Sequence, residues 1–198
     1  DRRQRQMCIR DRYEIENQTN SFSVYAKRFI EANSARYDYI VSEACGYIRK
    51  AAEGYGKTDM YVSFSGGKDS TVVSDLVMRA LSDQQVLHIY GDTTLEYPET
   101  LEYVKRFRKE HPKTPFLISR NNDKDFYDLC ENTSGPPSRV MRWCCTIFKT
   151  GAIQRKITSV FRGKKKVLMF NGLRRNESKA RSKYCLLYTS DAADDRIS

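Results

Sequence analysis

Residues 61–70 read Tyr-Val-Ser-Phe-Ser-Gly-Gly-Lys-Asp-Ser, an apolar run that halts at two glycines and resumes as a helix. Tyr61, Val62 and Phe64 have the aromatic and β-branched character of a buried strand. Gly66 and Gly67 permit backbone angles and close approaches that a side chain forbids. Ser70, Thr71, Val73, Leu76, Val77 and Ala80 then recur near the helical period, so the spacing predicts a helix opening directly out of the loop. The unpaired N–H groups of its first turn, at the positive end of the helix dipole, form a pocket for an anion. Lys68 adds a full charge, and Ser65 and Ser70 add hydroxyl donors. The competing reading is an ordinary strand-turn-helix connection with a solvated lysine. A Walker A loop is excluded by spacing, because Tyr61 stands where its first glycine belongs and Lys68 is followed by Asp69.

The remaining elements follow from the same periodicities. Helices are expected over 35–52, 69–82, 97–110, 124–131 and about 144–160, and strands over 61–65, 85–90, 115–119 and 166–171. Strands alternating with helices imply parallel pairing through right-handed crossovers, hence a doubly wound α/β sheet with helices on both faces. Ligands in such sheets lie at the carboxyl ends of the strands.

Two further segments fall at such ends. One is Asp92-Thr93-Thr94-Leu95-Glu96-Tyr97-Pro98-Glu99-Thr100; the other is Gly172-Leu173-Arg174-Arg175-Asn176-Glu177-Ser178-Lys179-Ala180-Arg181. With Ser65–Ser70 they resemble, in order, the S-G-G-K-D-S pyrophosphate loop, the D-T-G-x-x-x-x-E-T segment and the G-x-R-x-x-E-S-x-x-R segment of the phosphoadenosine phosphosulfate reductase family. That family lies in the adenine nucleotide alpha hydrolase-like superfamily, with its Rossmann-like fold. Thr94 replaces the usual glycine of the second segment.

The resemblance implies an enzyme of sulfur metabolism that binds adenylyl sulfate or its 3′-phosphorylated form. Ser63, Ser65, Gly66, Gly67, Lys68, Asp69 and Ser70, with Asp92, Thr93 and Gly172, would surround the nucleotide. Arg174, Arg175 and Arg181 suit bidentate recognition of phosphate or sulfate oxygens, with Glu177 orienting one of them. Asp69 and Asp92 have two readings. One is a Mg²⁺ bridge to phosphate, needed only if ATP is cleaved; the other is local, with Asp69 capping the helix and Asp92 fixing its loop.

Cys144 and Cys145 are the second chemical landmark and the candidate catalytic or metal-ligating residues. They resemble the tandem pair that supplies half of a [4Fe–4S] ligand set in one branch of the family. The downstream C-x-x-C that completes the set is missing, and Cys8, Cys45, Cys130 and Cys185 lack the spacing. Either that pair lay beyond a truncation or the tandem is structural. Arg142 and Lys149 would lower a nearby thiol's pKa, and burial beside Trp143 would oppose them. The Glu-Cys-Gly-(Ile or Leu)-His segment carrying the family's redox nucleophile is also missing, and His88 and His111 read as structural.

Two alternatives to the reductase remain. The first is an ATP pyrophosphatase that adenylates a substrate for sulfur transfer, of the tRNA-thiolation or DNA-sulfur-modification type. The second is a non-catalytic nucleotide-binding module.

Residues 1–12 and 185–198 lack sustained periodicity and are expected to be non-native or disordered tails. They flank an N-terminal helical segment, 13–56, and a nucleotide-binding domain, 57–184, truncation of which is expected soon after Arg181. A net charge of +10 over 198 residues fits an anionic ligand and leaves nucleic acid open as a partner. The Lys164–Lys166 run reads as a solvated turn. Thioredoxin or glutaredoxin is the implied partner of a reductase. No apolar stretch is long enough to span a bilayer and no leader is visible, so a cytoplasmic location is expected. The sequence does not set the oligomeric state.

Overall fold

The structure is a computed structural model in which residues 22–138 and 140–173 are described. The chain divides into two compact units, residues 1–44 and 45–198. Within the first, residues 22–32 are helical, and α1 (Ser34–Ala52) begins there and continues into the second.

The second unit is built on four parallel strands. They are β1 (Met60–Phe64), β2 (Leu87–Asp92), β3 (Phe116–Arg120) and β4 (Leu168–Phe170), in spatial order β3-β2-β1-β4. Between them run α2 (Lys68–Leu81), α3 (Pro98–Glu110), the single turn α4 (Phe126–Leu129) and α5 (Gly151–Val160). The expected α/β class and parallel pairing hold. β2 starts and ends two residues later than the periodicity suggested, and Gly91 and Asp92 complete it. Gly91 has room for no side chain: a Cβ there would lie 2.9 Å from Cδ1 of Ile153 on α5.

A parallel sheet needs both faces covered. Phe64 of β1 and Tyr90 of β2 pack with Val104 and Phe107 of α3 on one face. Their neighbours of opposite pleat, Tyr61 and Ile89, pack with Ile157 and Phe161 on the other. Phe64, 1% exposed, stacks within 4.5 Å of Phe107 and meets Phe116 edge-on. Such a fully buried aromatic side chain is worth about 3 kcal/mol of burial.

His88 is a structural residue, as expected. It is wholly buried between β2 and α2; Nδ1 lies 2.9 Å from the Val86 carbonyl and Nε2 lies 2.7 Å from Ser74 Oγ. The Val86 acceptor fixes the proton on Nδ1, so Nε2 accepts from the serine. Burial lowers its pKa below the ordinary histidine value, outweighing the contact with Val86.

Two ion pairs secure the amino-terminal edge of the sheet, away from the loop. Lys164 bonds Asp59 at 2.6 Å and Thr58 at 3.2 Å, and Lys57 bonds Asp83 at 2.6 Å. Lys164 therefore belongs to a tie across the start of β1 and is not only part of a solvated turn.

Candidate functional site

The strand order reverses between β1 and β4, because β1 leads through α2 to β2 on one side while β4 joins it on the other. Such a reversal opens a crevice at the carboxyl ends of the two strands. Ser65–Ser70 leaves β1 there, and Gly172 follows β4 two residues after its end.

The loop is fixed from two directions. Gly66 adopts φ +73°, and a Cβ on it would stand 2.9 Å from Val104 Cγ2 and 3.1 Å from Thr100 Cγ2, so it lies directly on α3. Thr100 ends the second motif, which is how that segment reaches the first. Gly172 makes the second side: a Cβ there would fall 2.8 Å from the Asp69 carbonyl oxygen. Both glycines are required by space, and Gly66 by backbone angle as well.

Hydroxyls buckle the loop internally. Ser70, 5% exposed, donates to the Gly67 carbonyl at 2.9 Å and accepts from the Ser65 N–H at 3.2 Å and Ser65 Oγ at 3.1 Å. Thr71 Oγ1 also donates to Gly67 O, at 3.0 Å, and shares a 2.9 Å bond with Tyr103 of α3. With no ligand present, the hydroxyls of Ser65 and Ser70 both bond within the loop. Ser65 and Lys68 are exposed, and Lys68 makes no ion pair among the described residues. Ser63 lies one residue inside β1, opposite Ile89, on the pleat that faces away from Phe64.

Asp69 is not the helix cap. Gly67 occupies the cap position with extended backbone and no side-chain bond, and Asp69 sits in the first turn, where its charge complements the dipole. Asp92 does fix its loop: Oδ1 accepts the Thr94 N–H at 2.9 Å, and Oδ2 stands 3.7 Å from Arg120. Thr93 donates to Glu96 at 2.8 Å. Thr94 takes φ +66°, the left-handed angle that the glycine in the family's motif would adopt without strain. Its buried hydroxyl and that of Tyr90 have no hydrogen-bond partner among the described residues. Burial and the Glu96 and Asp92 carboxylates push the Tyr90 phenol up to about 12.

Cys144 and Cys145 begin a widened, π-type turn, Cys145–Thr150, ahead of α5. Its Gly151 N–H reaches the Thr146 carbonyl, and a Cβ on Gly151 would meet that oxygen at 2.6 Å. Helix was expected from about 144; it forms, but wound wider than α. Trp143, Phe126 and Phe148 cluster beneath the segment, with ring centroids 5.4–6.4 Å apart, and Trp143 Nε1 donates to the Gly135 carbonyl at 3.2 Å.

Desolvation, then the hydrogen bond and charge of the adjacent Cys145 sulfur, raise the Cys144 thiol above its ordinary value. The expected lowering by Arg142 and Lys149 is not what governs Cys144. Among the described residues no group of three or more His, Cys, Asp or Glu side chains converges on a metal position. Cys130 is half-buried and Cys45 buried, its sulfur 3.9 Å from the Leu76 carbonyl. Among the described residues the cysteines do not make up the four thiolates that a [4Fe–4S] cluster needs. Arg174, Arg175, Glu177 and Arg181 lie outside the described residues, as do Cys8 and Cys185.

The sequence reading did not single out Arg120, Arg155 and Lys156, which line a cleft of about 490 Å³ beside Asp92. Their signal was the spacing of Ala152, Arg155, Lys156 and Ser159 along one stripe of α5.

Comparison with known proteins gives these findings. Residues 59–197 match the family described as phosphoadenosine phosphosulfate reductase domain. Two uncharacterized proteins of Methanocaldococcus jannaschii, MJ0973 and MJ0066, are 29% and 32% identical over 78% and 75% of this chain. The chain spans only 36% and 29% of their length. An adenosine 5′-phosphosulfate reductase of Anoxybacillus flavithermus is 28% identical over 62% of this chain and 49% of its own. Among solved structures, phosphoadenylyl-sulfate reductase from Candida auris in its phosphate complex aligns at TM-score 0.46 and 12% identity, over 66% of each chain.

Proposed function

The chain belongs to the phosphoadenosine phosphosulfate reductase domain family, and on that footing we propose that it binds the oxyanion end of a sulfated adenine nucleotide in the loop Ser65–Ser70, as part of a sulfonucleotide reductase-like enzyme. The observation that carries this reading is the double constraint on the loop: Gly66 pressed on α3 and Gly172 pressed on Asp69, at the reversal of strand order. A turn held from both sides has less freedom to lose when a ligand arrives, which reduces the ordering cost of binding.

Gly66, Gly67 and the first turn of α2 supply N–H donors to the anion, and Lys68 supplies charge. Ser65 adds a hydroxyl, while Ser70 and Thr71 hold the loop's shape. Arg174, Arg175 and Arg181 would recognise the phosphate and sulfate oxygens, with Glu177 orienting one of them. Asp92 and Thr93 shape the adjoining wall. Sulfur reduction then needs a thiolate nucleophile, and the raised Cys144 thiol does not supply one by itself.

Calorimetry with adenylyl sulfate, its 3′-phosphorylated form and ATP tests the reading. Binding of a sulfated nucleotide is expected, weakened about 10- to 100-fold in Lys68→Ala, the range for losing a charge-assisted contact. An unchanged affinity in that variant sinks the loop assignment. Thioredoxin-dependent sulfite formation marks the reductase, whereas Mg²⁺-dependent pyrophosphate release from ATP marks the adenylating alternative. Binding without either turnover leaves a nucleotide-binding module.

A further inference from the structure

A cleft of about 490 Å³ opens where the carboxyl ends of β2 and β3 meet one stripe of α5. Its volume is in the range of small-molecule sites. Its composition sets it apart from the glycine loop. Arg120, Arg155 and Lys156 line it, and Asp92 is the one carboxylate among its walls. Asp92 stands 3.7 Å from Arg120, beyond hydrogen-bond reach, and Arg155 and Lys156 form no ion pair among the described residues. Three cations gathered around one carboxylate repel one another, and an entering anion relieves that repulsion.

The helix geometry concentrates this charge. Ile153 and Ile157 of α5 turn toward Gly91 and the Tyr61–Ile89 core. Ala152, Arg155, Lys156 and Ser159 share the neighbouring stripe at i, i+3, i+4 and i+7, and Ala152 is 3% exposed. Its small side chain lets the cleft floor lie close to the helix. Hydroxyl and amide groups of Ser119, Ser159 and Asn122 and the side chain of Ile118 complete the wall, and no aromatic ring lines it. Such a surface has donors for a phosphate and partners for hydroxyls, and it offers a nucleobase no aromatic face.

We propose that this cleft is a second ligand site, taking a small hydroxylated phosphate monoester with Arg120, Arg155 and Lys156 on the phosphoryl oxygens. It adjoins the proposed nucleotide site through Asp92, but Lys68 and the glycine loop are not among its walls. Arg155 is exposed, so its removal leaves the fold intact.

The test uses the full chain and ribose 5-phosphate as probe, followed by calorimetry and by amide chemical shifts. Binding is expected, with shifts at Ser119, Ala152 and Ser159. It should weaken by about tenfold or more in Arg155→Ala/Lys156→Ala, since two charge-assisted bonds to the phosphoryl oxygens are lost. The same loss in Arg120→Ala guards against a local unfolding of α5, and unchanged thermal melting checks both variants. Lys68→Ala should leave ribose 5-phosphate binding as it is while impairing the nucleotide, which separates failure here from failure of the loop assignment. No binding of ribose 5-phosphate at millimolar concentration overturns the proposal. So does binding lost in Lys68→Ala but kept in Arg155→Ala/Lys156→Ala. Steeply salt-dependent binding of a single-stranded oligonucleotide, without ribose 5-phosphate binding, overturns it in favour of a nucleic-acid surface.

Discussion

The glycine loop and the tandem-cysteine segment are the two most conspicuous motifs, and they are supported in opposite ways. Ser65–Ser70 is held by close backbone packing on α3 and Gly172 and by hydroxyls that bond within the turn. Cys144 and Cys145 ride on an aromatic cluster, one half-buried and one exposed, with no further ligand set among the described residues. The loop is held in shape by packing on two sides and by its own hydroxyls. The cysteines sit on a widened turn whose order comes from Trp143 and Phe148 below them. Resemblance to a family motif therefore says less about chemistry than the supporting contacts do.

The sharpest way to break this contrast is Gly66→Ala. The left-handed angle costs a residue with a Cβ about 1 to 3 kcal/mol, and the contact with Val104 adds overpacking of similar size. Urea unfolding should show a loss of roughly 2 to 4 kcal/mol. A loss below about 1 kcal/mol would mean that the loop is not wedged against α3.

His88→Leu comes next. It leaves the Ser74 hydroxyl buried without an acceptor, at roughly 1 to 3 kcal/mol. The pH dependence has a definite sign. Because the folded pKa of His88 is below its unfolded value of 6.5, the unfolded chain binds the extra proton, and the wild type loses stability as pH falls below 6.5. The leucine variant lacks that term. Its deficit should therefore be larger at pH 7.5 than at pH 5.5, and a deficit that grows on acidification would contradict a neutral, buried imidazole.

Much of this was legible in residue order. The alternation of strands and helices gave the parallel sheet, and the glycine pair gave the turn at its switch point. Three things were not legible. The Ser70 hydroxyl could point outward or inward on identical sequence, and only the fold shows it bonded to Gly67. The cap position fell on Gly67 and not Asp69, because the helix starts one residue earlier than its apolar period suggests. The cationic cleft draws on β3 and α5, which are distant in sequence and meet only when the sheet closes.

Thr94 sharpens the comparison by reversing its sign. A β-branched residue at φ +66° with an unpartnered buried hydroxyl is strained where the motif elsewhere carries glycine. Thr94→Gly should stabilise by about 1 kcal/mol, after the entropy glycine costs in the unfolded chain is subtracted. A lower denaturation midpoint would show that the threonine methyl packs well enough to outweigh the angle.

The smallest effect belongs to the cysteines. With Cys145 exposed and its neighbour half-buried on a surface turn, Cys145→Ser should change stability by no more than about 0.5 kcal/mol. Thiol alkylation separates the pair further: at neutral pH the exposed Cys145 should react faster than Cys144, whose thiol is raised above its ordinary value and so holds less thiolate. A serine variant that unfolds, or a pair that resists alkylation altogether until a chelator is added, would mean that these sulfurs hold something the surrounding side chains do not explain. The tandem would then stand beside the loop as a built site rather than opposite it.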